Sequence, residues 1–361
     1  MNRAAIIAGT GAALVAAASR PALPQTQPMA ALISAAKAEG GVVVDGPPND
    51  EVRKAFVEGF ARDYGIPVSY IASGSSSSAA RVRAERSAGK YLLDVFMSGS
   101  DTPIVTFLPA GWLDKIEPAL IEPDVLDKRK WKDGHLWYED DAHMILRVQQ
   151  FIVPELAINT KFVKRSEVST WKALLNPKWR GKICAKDPTI TGAGASLTSL
   201  FYIEFGADFV KRLYVDQKPT LSRNPRQSAQ WLADGTYPIL VGADLESLTQ
   251  FQKLGYPVEP VFPTDAPSVL TGGFGLVCLM NKAQHPNAAK LFVNWLAGPV
   301  GQEAYARSTR GVSLRTDVKY VDFPTYVFPQ KGVKYMDTYD LKFVTEQRDP
   351  ALQRVRELLG P

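Results

Sequence analysis

Four consecutive serines, Ser75 to Ser78 in "SYIASGSSSSAARVRAERSAG", stand where an apolar, strand-like run gives way to a basic, helix-favouring one. Short hydroxyls and free backbone N–H groups at a helix start hold an anion without needing a cation. Ser75, Ser76 and Ser77 are therefore candidate ligand contacts on a loop, with Ser78 the expected helix cap. The bland alternative for the run is a cap followed by a solvated linker. Ser100 lies in the small-residue loop that ends "YLLDVFMSGSD" and joins the same set. A second hydroxyl- and glycine-rich loop follows in "GKICAKDPTITGAGASLTSLFYIEFG", where Thr189, Thr191, Gly192, Gly194 and Ser196 precede or open a helix expected from near Ala195. Two such loops in different halves of the chain suggest a solute gripped between two lobes.

Charged candidates are fewer. Arg223 and Arg226 in "TLSRNPRQS" suit bidentate clamping of a carboxylate or phosphate, the alternative being a solvated turn around Pro225. Asp244 in "YPILVGADLESLTQ" is either an oxygen ligand or a helix N-cap. Arg81, Arg83 and Arg86 share a helical segment with Glu85 and read as an exposed charged face. Trp137, Tyr138, Glu139 and Asp140 form an aromatic-acidic cluster that lines a cleft or packs in a core.

Signatures of catalysis and of cofactor binding are missing. The chain holds three histidines, His135, His143 and His285, without the His-Glu-x-x-His spacing of a zinc protease. "GAGAS" places its serine last, so it is no nucleophile elbow. No Gly-x-x-x-x-Gly-Lys phosphate loop occurs, and no cofactor is called for. Cys184 and Cys278 sit in apolar runs and read as small hydrophobes, a disulfide between them being the alternative.

The elements that must position these residues alternate in type. "GGVVVDG" reads as a strand, and "EVRKAFVEGFARDYG" places Val52, Phe56, Val57 and Phe60 on one helical face before Gly65 stops it. "IPVSYIAS", a helix after the serines, and "LLDVFMS" continue the β-then-α pattern, which implies a parallel sheet covered by helices. In such sheets ligands collect at loops leaving the carboxyl ends of the strands. With 361 residues, 45% of them hydrophobic, the chain exceeds one ordinary domain, so two lobes are expected. The net charge of +5, without a basic block, gives no nucleic-acid signature. At the N-terminus, Arg3, an apolar stretch and the small residues Ala16 to Ala18 form the pattern of a cleaved secretory leader over residues 1–18. A soluble mature protein in an exported compartment is the expectation.

The order of "WKALLNPKWRGKICAKDPT", "GGFGLVCLMNKAQHPNAAKLFVNWLAGPVGQEAYAR" and "GVSLRTDV" resembles family 1 extracellular solute-binding proteins of bacterial ABC importers. The branch that holds ferric-ion and organophosphate or phosphonate binders is the most similar, over roughly Ala35 to Asp317. The resemblance implies an α/β, two-lobe type II periplasmic-binding-protein fold with crossing hinge strands, an ABC permease as partner, and a small, anionic solute as cargo. It implies lobe 1 over 35–150, lobe 2 over 151–275, and a return to lobe 1 with a C-terminal tail over 276–361. The crossings are expected in "RVQQFIVPELAINT" and "GGFGLVCLMN", and Arg223 falls where the family carries a ligand-facing loop. Ferric-binding members place adjacent tyrosines after a strand like "YPILVG"; here Asp244 and Glu246 follow instead, which leaves ferric capture as the alternative. An exported enzyme on the same scaffold is the alternative of another class.

Overall fold

The computed structural model describes residues 27–138, 142–189 and 193–360. Helix α1 (Gln27–Glu39) leads into a β-α alternation: β1 (Val42–Gly46), α2 (Asp50–Tyr64), β2 (Val68–Ala72), α3 (Ser75–Ser87) and β3 (Val95–Ser98). Helix α2 has both ends closed, the second of them at the Gly65 that its sequence predicts. The Asn49 side chain accepts from the Val52 amide at 2.9 Å, and Gly65, at φ 70°, donates its N–H to the Ala61 carbonyl. Val52, Phe56 and Phe60 are buried on one face and Val57 is half-buried, which is the helical spacing read from the sequence. Because each helix returns the chain to the same end of the sheet, β1 pairs in parallel with both β2 and β3.

The first lobe then adds β4 (Leu113–Asp114), the short α4 (Pro123–Leu126), β5 (Leu136–Trp137) and β6 (Ile145–Arg147). Strand β7 (Phe151–Ile152) leaves it. The second lobe follows as β8 (Leu156–Asn159), β9 (Ile183–Lys186), α5 (Ala193–Lys211), β10 (Thr220–Ser222), α6 (Pro225–Asp234), β11 (Ile239–Val241), α7 (Leu245–Lys253) and β12 (Val258–Val261). Its five strands run in the order β10-β9-β11-β8-β12. The chain returns through β13 (Val269–Thr271) to β14 (Leu276–Met280), which inserts antiparallel between β3 and β6 in the larger sheet, ordered β2-β1-β3-β14-β6-β5. Helices α8 (Pro286–Ala297) and α9 (Pro299–Thr309) cover that sheet, and β15 (Met336–Asp337) and α10 (Asp349–Leu359) end the chain.

The crossing strands meet. β13 pairs antiparallel with β7 and parallel with β15, so three short strands form a separate hinge sheet. Arg147 secures it, its guanidinium donating to both carboxylate oxygens of Asp337 at 2.9 and 3.1 Å. The return crossing is thus Val269–Thr271, upstream of the stretch expected from the sequence; Leu276–Met280 is already the middle of the larger sheet.

Beneath that sheet, Phe56 and Phe60 each pack edge to face against Phe292 and Trp295, and Tyr305 lies tilted against Phe56. The Phe56 and Phe292 rings, 5.4 Å apart and inclined at 79°, are typical. Each such pair contributes about 0.5–1.5 kcal/mol beyond the area it buries.

Two expectations are corrected. The serines form the first turn of α3 and not a loop: the cap residue is Gly74, and Ser78 lies inside the helix. The C-terminal helix does not complete the first lobe, because α10 packs against α5 of the second, where the Ser199 hydroxyl donates to the Arg348 carbonyl. Its amphipathic face (Ala351, Leu352 and Val355 buried) is what the apolar side of α5 accepts. Cys184 and Cys278 are both buried and form no disulfide, one lying in each lobe's sheet. Among the described residues no helix is long and apolar enough to cross a membrane. The leader pattern of residues 1–18 lies outside the described residues.

Candidate functional site

The strand ends of the two lobes are turned toward one another across the lobe boundary. One contact spans it directly: the side-chain amide of Asn49, the cap of α2, donates to Glu246 in the first turn of α7 at 2.7 Å. A second link runs through the tail. Arg348, 3% exposed, donates to the Ser100 hydroxyl at 3.2 Å and pairs with Asp101 and Asp349. Since Arg348 also opens α10, which sits on α5, the tail straps the β3 loop of the first lobe to the second.

On the first lobe most polar groups behind the cleft satisfy one another, although Arg81 Nε is buried without a hydrogen-bond partner. Asp45, at the end of β1, is fully buried. It accepts from Arg81 at 2.6 Å and from Ser73 at 3.2 Å, and Ser73 in turn meets Ser78 at 2.5 Å. Glu85 takes the other side of Arg81 at 2.6 Å. Burial pushes the Asp45 carboxyl above its ordinary range, against the hydrogen bonds from Ser78, Arg81 and Ser73. Arg81 is therefore not part of an exposed charged face, and neither is Arg86, which donates to Asn281 and stacks near Tyr91 and Trp112. Only Arg83 of the three is exposed. Ser77 is exposed on the first turn of α3; Ser75 and Ser76 belong to the same turn. That turn offers amides whose cap, Gly74, supplies no side-chain acceptor.

On the second lobe three connections leave the carboxyl ends of β9, β10 and β11. Arg223 follows β10, and its Nε donates to Asp187 at 2.8 Å. Its side chain remains 70% exposed, so this pair holds the loop and contributes little energy. Burial pushes the Asp187 carboxyl up, but hydrogen bonds from Thr189 and Arg223 together hold it below the ordinary range. Arg226 is exposed at the start of α6. Asp244 accepts from the Ser247 amide at 2.9 Å and is the N-cap of α7, the more ordinary of its two readings. Thr191 and Gly192 lie outside the described residues. Helix α5 begins at Ala193, so Gly194 and Ser196 fall within its first turn, upstream of the start expected from sequence.

Two residues that the sequence reading passed over sit among these loops. Lys186 ends β9, and its aliphatic stem lies across Gly242, where an added Cβ would come within 2.9 Å of it. Gly242, at φ 80°, leaves room for that stem in a backbone conformation that other residues rarely adopt. The half-buried Lys186 ammonium has no hydrogen bond or ion pair among the described residues. Glu155 immediately precedes β8, which β11 separates from β9; it is 8% exposed, and its carbonyl accepts from the Gly242 amide at 2.6 Å. Its Oε2 is buried without a hydrogen-bond partner. Burial pushes the Glu155 carboxyl up to about 7; Lys186 opposes that rise and Asp244 adds to it. The signal available in the sequence was a charged residue interrupting an apolar strand, "VPELAIN" and "ICAKDP", since lysine and glutamate are seldom buried without a task.

The remaining candidates serve structure. Trp137 stacks on His143 with ring centres 4.7 Å apart, and Tyr138 is buried near Tyr339. Glu139 and Asp140 lie outside the described residues. His135 Nε2 donates to the Val125 carbonyl at 2.7 Å, and His143 Nδ1 meets Glu117 at 2.6 Å. Among the described residues no cluster of three metal-ligating side chains occurs.

The model of the family described as bacterial extracellular solute-binding protein matches residues 45–303. An uncharacterized protein of Haemophilus influenzae is 24% identical over 334 residues, 90% of this chain and 92% of its own. The periplasmic binding protein AfuA of Actinobacillus pleuropneumoniae, solved with exogenous fructose-6-phosphate bound, superposes with a TM-score of 0.68 at 21% identity, covering 89% of this chain and 98% of AfuA. Iron-bound HitA of Pseudomonas aeruginosa gives 0.65 at 16% identity, covering 88% and 99%. At these identities the solved structures attest the fold, which is the two-lobe type II periplasmic-binding-protein fold.

Proposed function

Because the chain belongs to the bacterial extracellular solute-binding protein family, we propose that it is the periplasmic receptor of an ABC importer, capturing a small organic anion by lobe closure and delivering it to a permease in the inner membrane. The observation that carries the anionic reading is Lys186. It is a half-buried ammonium without a partner among the described residues, at the strand ends beside the first turns of α5 and α7. Helix N-termini and an unpaired cation facing one cleft favour negative charge there. The first turn of α3, with Ser75, Ser76 and the exposed Ser77, lies on the opposite lobe, and Thr191 and Gly192 precede α5. A ligand held by both sets favours the closed form over the open one, and that differential is what a permease reads.

In this reading residues 35–150 and the chain from 276 make the first lobe, 151–275 the second, and α10 belongs with the second. The leader is removed after about Ala18, the mature protein is a periplasmic monomer, and no cofactor takes part. Of the similar structures, AfuA carries a phosphorylated sugar and HitA carries iron. The first of these fits better here. The tyrosines nearest β11 are used in packing, Tyr237 against Trp231 and Tyr256 against Phe251, and no tyrosine pair follows the strand.

Native mass spectrometry of gently purified protein tests the proposal. Expected is an adduct of a few hundred daltons or less that is lost on unfolding, followed by a saturable titration with that compound and no turnover of it. An iron adduct with visible charge-transfer absorption favours ferric capture, and conversion of the compound favours an exported enzyme.

A further inference from the structure

Lys186 and Glu155 carry opposite charges, lie close enough to influence each other, and yet form no ion pair. An ammonium only donates hydrogen bonds, and an ionised carboxylate, the form Glu155 takes above about pH 7, only accepts them. A buried acceptor left unmade is costly, and Glu155 Oε2 is such an acceptor on a residue more than nine-tenths buried. The Lys186 stem is fixed in place by the close approach of Gly242 and by Gly194 in the first turn of α5, where an added Cβ would lie 3.2 Å from Lys186 Cβ. The backbone of Glu155 is pinned by the Gly242 amide. Packing thus fixes the Lys186 stem and the Glu155 backbone. Asp244, the other acid that Glu155 senses, is already engaged as the cap of α7.

A group that completes both must accept from Lys186 and donate to Glu155 at once. Neither a phosphate dianion nor a carboxylate does so, because each lacks a proton to give; an amine in its ammonium form lacks the lone pair. A hydroxyl has both. We propose that Lys186 and Glu155 form a hydroxyl-reading subsite on the second lobe, so that the captured anion is a hydroxylated one. This rests on the anion-receptor reading above and adds to it a specificity that the helix N-termini do not provide, since these hold any anion. A site built to hydrogen-bond a hydroxyl rejects the analogue lacking it, because both protein groups are then left unpaired.

The test titrates the full mature chain with two matched pairs of probes: glucose 6-phosphate against cyclohexylmethyl phosphate, and gluconate against hexanoate. Wild type is expected to bind the hydroxylated member of at least one pair tenfold or more tightly than its hydroxyl-free partner. Lys186→Met and Glu155→Leu should each reduce that ratio below about threefold. Glu155→Gln, whose amide oxygen still accepts, should keep part of it, which a merely structural role would not produce. Melting temperatures verify that each variant folds, and should Glu155→Leu fail to, Lys186→Met and Glu155→Gln suffice. Equal binding of both members by wild type, a ratio that survives Lys186→Met, or no binding of either pair overturns the proposal; the first of these would leave a water-bridged pair only. A co-purified solute without hydroxyls, found by mass spectrometry, overturns the subsite alone, whereas absence of any bound or bindable solute overturns the receptor reading itself.

Discussion

The two lobes present similar strand ends to the cleft but treat their buried charges differently. Behind the loops of the first, Asp45 is gripped by Arg81, with Ser73 and Ser78 filling the remaining valences and Glu85 balancing the arginine. Behind those of the second, Glu155 and Lys186 stand side by side unpaired. A closed network spends its polar groups on holding a loop still. An open one leaves free energy to be recovered when something else arrives. The first lobe therefore supplies a rigid wall, and the second supplies the chemistry that discriminates.

The comparison is broken most severely where the lobes are tied together. Replacing Arg348 by methionine leaves the Asp101 carboxylate buried beside no cation and cuts the strap, and should cost about 4 kcal/mol in urea unfolding. A loss below about 1 kcal/mol would mean that the tail lies on the surface without fastening anything.

Next comes Glu155, with the opposite sign. Its carboxyl ionises at 4.5 ordinarily and at about 7 in the fold, so the folded chain binds that proton more tightly than the unfolded one. The corresponding stability is fully present below the unfolded value and is lost as pH rises through about 7; the difference amounts to about 3 kcal/mol. Thermal melts between pH 4 and 8 should thus show Glu155→Gln gaining on wild type as pH increases. Parallel curves would place the acid in a wetter setting than the structure gives it.

Arg81→Met tests the paired lobe. Asp45 would remain buried with only serine hydroxyls for company, and about 2 kcal/mol of stability should be lost, with the sign reversed relative to the change at Glu155. If Arg81 and Glu155 variants shift stability in the same direction, the contrast between the lobes fails. The smallest effects separate cap from contact. Asp244→Ala should cost about 1 kcal/mol of stability through the lost cap. Ser77→Ala should change stability by less than about 0.5 kcal/mol while weakening solute binding, read by calorimetric titration.

Much of the architecture was legible in the residues because it depends on local repeats. The β-α alternation, the Gly65 stop and the buried stripe of α2 follow from periodicity and capping, and the crossing of the chain between lobes followed from the family resemblance. The serine run misled because a cap is chosen by backbone geometry: Gly74 takes the extended conformation that precedes α3, and the hydroxyls fall one turn further in. The tail misled for another reason. An amphipathic stripe says that a helix docks, not on which lobe, and α10 was settled by the apolar face of α5 far away in sequence. At the site, the exposed Arg223 attracted notice through its residue type, while Lys186 and Glu155 acquire meaning only when Gly242 brings two strand ends together. Whether Ser75 to Ser77, Thr191 and Gly192 touch the solute is a matter for titration of the single variants.

The placement of β14 has a temporal side. A chain that emerges from its N-terminus completes all five strands of the smaller sheet, residues 156 to 261, before the central strand of the larger one, 276 to 280, has appeared. Until then β3 and β6 each present a bare edge, the feature of a nascent sheet most prone to wrong pairing. The sheet of the smaller lobe is accordingly the first to have all its strands, although α10, which packs on that lobe, comes last. The larger one, although it starts first, is finished by a strand that threads between two already waiting for it.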